Sequence, residues 1–97
     1  MNLVFAIDEG SDFSFQIYRR PIGDFSLEGY FTTRSFTRQS TATTRHTKRG
    51  GPYPNLQNAL EELLSFIRLQ KANNWQSGKA SSWISLESAI SDALGHL

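Results

Sequence analysis

The chain has 97 residues, 38% of them hydrophobic and twelve aromatic, which suffices for one domain with one core. It has no cysteine, so disulfides, thiolate metal sites and a cysteine nucleophile are excluded. The net charge of +1 hides an uneven spread: residues 1–33 hold two basic and five acidic side chains, residues 34–50 five basic and none acidic, and residues 51–97 three basic and four acidic.

The opening "MNLVFAIDEGSD" has no basic leader region and meets acid at Asp8, so no secretory signal is expected. No apolar run approaches the roughly 20 residues of a membrane-spanning helix. Both features fit a cytoplasmic protein that does not engage a membrane. "NLVFAID" reads as a strand with Leu3, Phe5 and Ile7 on one side, and "DEGSD" as a turn. "FSFQIYRR" alternates Phe13, Phe15 and Ile17 against Ser14, Gln16 and Tyr18. "PIGD" is a second turn, with Pro21 setting φ and Gly23 tolerating positive φ. "FSLEGYFTTRSFTR" continues the alternation, Phe25, Leu27 and Phe31 against Ser26, Glu28 and Tyr30, with Gly29 marking a bulge or a close approach. A fourth strand at about 42–49 is rich in Thr but lacks apolar alternation, and "GGPYPN" breaks the pattern after it.

"NLQNALEELLSFIRLQKANN" predicts a helix over about 55–72, with Asn55 as N-cap and a stripe of Leu56, Ala59, Leu60, Leu63, Leu64 and Ile67. A second helix over about 83–96 repeats those spacings with Leu86, Ala89, Ile90, Ala93, Leu94 and Leu97. Trp75 and Trp83 flank the linker, where they cap the core or form a partner's anchor. The expectation is a single α+β domain over 1–97. It has a three- to four-stranded antiparallel sheet (residues 2–49) followed by two amphipathic helices packed on one face, in the order β-β-β-(β)-α-α.

Little in the sequence favours catalysis. His46 and His96 are the only histidines, and no orienting carboxylate or nucleophile stands at a recognisable spacing from either. Asp8, Glu9 and Asp12 share a turn but lack the loop length and closing glutamate of an EF-hand, so no metal and no cofactor are expected. In the same turn Asp8, Gly10 and Ser11 resemble the first phosphate loop of the sugar-kinase and actin superfamily. The match covers about thirteen residues, and the two large domains that superfamily needs do not fit in 97 residues.

The basic stretch is more informative. With odd positions facing the core, the outer face of strands two and three carries Tyr18, Arg20, Tyr30, Arg34, Phe36 and Arg38, and Arg45, Lys48 and Arg49 follow at its edge. Aromatic rings that stack bases and cations that neutralise phosphates are what a single-stranded nucleic acid requires. A sheet followed by a helix is similar in architecture to PUR and Whirly-type single-strand binders, over residues 12–68. The expected function is therefore non-enzymatic binding of nucleic acid, single-stranded in preference, through those nine residues. The alternative is a protein-interaction module or inhibitor that meets an acidic protein surface, such as a phage- or plasmid-borne protein blocking a host nucleic-acid-binding complex. A homodimer through the C-terminal helices would bury the second stripe.

Overall fold

A computed structural model describes residues 2–9, 13–22, 28–37, 45–73 and 80–97. The elements run β1 (Asn2–Glu9), β2 (Phe13–Pro21), β3 (Glu28–Thr37), β4 (Arg45–Tyr53), α1 (Leu56–Asn73) and α2 (Ala80–Gly95). The strands form one antiparallel sheet in sequence order, β1-β2-β3-β4, as consecutive hairpins produce. Both helices cover the same face, α1 lying against β2, β3 and β4 and α2 against β1 and α1.

The alternation of β2 decides which face is covered. Phe13, Phe15 and Ile17 are buried, while Ser14, Gln16 and Tyr18 between them are only half-buried. Against them α1 lays Ala59, Leu60, Leu63, Leu64, Phe66 and Ile67, and α2 lays Trp83, Leu86 and Ile90. Four rings tie the three layers of contact together. Trp83 meets Phe13 edge-on at 4.7 Å between centroids, and Phe15 and Phe66 each at 6.3 Å. Trp83 thus belongs to the core; Trp75 lies outside the described residues. Leu86 and Ile90 of the α2 stripe close on the chain's own core, Ala93 and Leu94 pack partly against it, and Leu97 is exposed.

Asn55 caps α1, its Oδ1 accepting from the Asn58 backbone N–H at 2.8 Å. The two helices are also pinned from outside. Glu87 of α2 accepts from Lys71 Nζ at 2.9 Å and from Arg68 Nε at 3.2 Å, both on α1.

Three expectations about the strands change. First, a register irregularity in β1 lets Leu3 pair with Tyr18 while Phe5 pairs with Ile17, so Leu3 leaves the side held by Phe5 and Ile7 and is exposed. Second, the glycine-proline stretch does not end β4; the strand continues through Gly50, Gly51 and Pro52 to Tyr53, with its own register shift opposite Tyr30 and Thr32. Gly51 makes that continuation feasible: its φ is +111°, and a Cβ there would stand 2.7 Å from the Tyr30 carbonyl oxygen. Third, β3 faces the other way. Every β2–β3 pair has residue numbers that sum to 49, so odd positions of β2 pair with even positions of β3. Directly paired residues share a face of the sheet. Thr32 and Arg34, opposite Ile17 and Phe15, are therefore under the helices and buried, and Phe31, opposite Tyr18, is on the uncovered side.

Candidate functional site

The uncovered face is built from the even positions of β2, the odd positions of β3 and their partners on β4. Tyr18 pairs with Phe31, Gln16 with Thr33 and Thr33 with Arg49, while Ser14, Ser35 and Thr47 form the next row. The Ser35 and Thr47 hydroxyls lie 3.2 Å apart. Arg20 lays its guanidinium over the Phe31 ring, 3.9 Å from the centroid. The Tyr18 hydroxyl donates to Gln16 Oε1 at 2.6 Å. Together Gln16, Tyr18, Arg20, Phe31, Thr33 and Arg49 line an open concavity of about 410 Å³.

Among the described residues neither Arg20 nor Arg49 has a carboxylate partner, whereas Arg19, on the helix side, is paired with Glu28 at 3.0 Å. Two aromatic rings and two guanidinium groups without a carboxylate partner among the described residues therefore sit together on a surface that no other part of the described chain covers. Such a surface can stack planar groups, bind anions and donate hydrogen bonds.

The nine residues expected from the sequence divide accordingly. Tyr18, Arg20 and Arg49 are on this face. Tyr30 and Arg34 are not: Tyr30 is half-buried against the core, and Arg34 is about nine-tenths buried. The Arg34 guanidinium lies 4.6 Å from the Phe66 ring centroid, with Nη1 3.9 Å from Glu62 Oε1. Phe36 holds the register position opposite Phe13, and Lys48 that opposite Arg34, with the Lys48 side chain exposed at the rim. Arg45 pairs with Thr37 at the start of β4. Arg38 lies outside the described residues. Phe31, Gln16 and Thr33 join the site without having been singled out. Phe31 was assigned to the core because its odd number matched Phe13 and Phe15, and only the pairing register reveals the inversion.

Other chemistry is thin. No group of three or more metal-ligating side chains occurs among the described residues, and no described helix is long and apolar enough to cross a membrane. His96 is exposed, its Nδ1 2.6 Å from the Asp92 carbonyl oxygen. Glu87 has its carboxyl held below its ordinary value, first by the hydrogen bond from Lys71; burial opposes this, and the hydrogen bond from Arg68 and the charges of both cations add to the lowering. It lies on the helix side, away from the open face. Compared with known protein families, curated proteins and solved structures, the chain gives no match.

Proposed function

We propose that this protein is a non-enzymatic binding domain for nucleic acid, single strands above duplex, and that it works through the open face of its sheet. The observation that carries this is the union of Tyr18, Phe31, Arg20 and Arg49 on a surface that no described part of the chain covers, with neither cation paired to a carboxylate among the described residues. Bases stack on aromatic rings and on guanidinium planes, and phosphates take the arginines. A duplex hides its base faces and could use only the cations, which favours the single strand. Lys48 and Arg45 add basic residues along the same edge strand, β4. The setting we propose is cytoplasmic.

The test is fluorescence anisotropy with a labelled single strand across a salt series. Wild type is expected to bind at micromolar concentration or tighter at low salt. Arg20→Ala and Arg49→Ala should each weaken binding and each flatten the slope of log K against log salt by about 0.7. Tyr18→Ala should cost about 1–3 kcal/mol of binding through lost stacking. Lys71→Ala, which changes a cation tied to Glu87 on the helix side, should leave binding unchanged. Absence of binding to single strand and duplex alike at low salt would overturn the role.

A second role, as a protein-interaction module, draws on a different observation. β1 is an edge strand of eight residues whose Leu3 and Val4 are exposed and which carries no Lys, Arg or Pro. A free edge of that kind accepts a strand from a partner chain.

A further inference from the structure

Resting on the nucleic-acid-binding role, we propose that one base stacks on the Arg20 guanidinium, and that Phe31 is a positioning residue that holds this guanidinium flat beneath the base. The strand pairing brings the two groups together. Arg20 pairs with Gly29, and the space a side chain at that glycine would take is already filled: a Cβ there would stand 2.6 Å from Ile22 Cδ1 and 2.9 Å from Pro52 Cβ. Phe31 stands on the diagonal, two residues further along β3, within reach of a long side chain. Arg20 lies across that diagonal, its guanidinium 3.9 Å from the ring centroid, and among the described residues no carboxylate draws it elsewhere.

Of these two stacked planes the guanidinium is the more accessible, since Arg20 is exposed and Phe31 half-buried. A guanidinium is planar, stacks on aromatic faces and keeps its N–H donors in its own plane. With one face on Phe31, its other face receives a base while the in-plane donors meet a phosphate of the same strand. A base placed there keeps the attraction between cation and ring, whereas a base on the covered face of Phe31 would have to displace it. An arginine held in advance also spares binding the entropy of ordering a long, rotamer-rich side chain. Lysine would supply the same charge but not the plane.

The experiment measures anisotropy of a labelled oligothymidine across a salt series, for wild type, Arg20→Lys, Phe31→Leu, Phe31→Tyr and the double variant Arg20→Lys/Phe31→Leu. Arg20→Lys should weaken binding at least about fivefold at every salt concentration, the low end of what one stacked base contributes, with the salt slope unchanged because the charge remains. Phe31→Leu should weaken it comparably, again at unchanged slope, and Phe31→Tyr, which keeps the ring, should bind as wild type does. The double variant should be no weaker than the weaker single variant by more than about twofold, since Phe31 acts through Arg20. Phe31 is half-buried, and circular dichroism verifies that its variants remain folded. Wild-type affinity in Arg20→Lys would show that Arg20 serves only as a charge, which overturns the stacking assignment and leaves the binding role standing. Losses that multiply in the double variant would place the base on Phe31 itself and overturn its positioning role. Failure of wild type to bind at low salt overturns the binding role, and this assignment with it.

Discussion

Arg34 is a cation buried where the alternation of its neighbours suggests solvent. It lies over Phe66 and is only loosely paired with Glu62, and its Nε has no hydrogen-bond partner. Removing a charge from water costs several kcal/mol, and a single distant carboxylate plus one ring face offsets little of that. Arg34→Met, which keeps the length of the stem and fills the same space against Phe66, is therefore expected to leave stability unchanged or raise it by about 1–4 kcal/mol. Urea denaturation with wild type alongside measures this; a loss of more than about 1 kcal/mol would show that the guanidinium is better satisfied than its contacts indicate. Arg34 also illustrates what was not legible. Arginine at a strand position reads as solvent-exposed by composition, and only its pairing with Phe15 places it under α1.

At the scale of elements, the helices could be read from the sequence and the strands only in part. The i, i+3, i+4 stripe of α1 appears nearly unchanged in the buried set, whereas that of α2 keeps Leu86 and Ile90 buried and Ala93 and Leu94 partly so, with Leu97 exposed. Phe66 was missed in α1; it is covered by Phe15 and Arg34 of the sheet and Trp83 of α2. The clasp between the helices carries a pH signature. The Glu87 carboxyl is held below its ordinary value of 4.5 by Lys71 and Arg68, so its charged form is favoured in the folded state. Its contribution is accordingly present above the unfolded pKa and disappears as pH falls through the lowered folded value. Glu87→Gln should lower the melting temperature slightly at pH 7, and the two proteins should melt alike once the pH is below the folded value. Thermal melts at pH 7, 5 and 3 give the comparison. A deficit that persists undiminished at pH 3 would mean that the carboxylate charge is not its source. The effect is expected to be small, as for partly exposed ion pairs generally.

At the scale of the molecule, the described chain measures 44 × 29 × 20 Å, and its smallest extent is that of one sheet with one helical layer. The described residues leave one face of the sheet and both edges without cover. The edges differ. β4 presents Lys48 and Arg49 and holds Pro52, which has no backbone N–H, features that discourage pairing with another chain. β1 presents Leu3, Val4 and Ala6 exposed and uncharged. Concentration-dependent self-association through β1 is the expected consequence, and Val4→Lys should suppress it. Sedimentation velocity over a wide concentration range tests this, and a wild-type protein that stays monomeric throughout would remove the support for strand addition at this edge.

The sequence by itself determined the α+β class, the order of elements, the core face of β2 and the stripes of both helices, because each is written in a local period. Which face β3 presents was decided only by the tertiary structure. The run "EGYFTTRSF" carries an aromatic in both parities, Phe31 in one and Tyr30 and Phe36 in the other, so the pattern is consistent with either orientation. The parity is set by how the second hairpin pairs, and one residue of register exchanges the two faces entirely. That exchange moved Arg34 and Tyr30 under the helices, brought Phe31 beside Tyr18 and Arg20, and so decided where the candidate site lies.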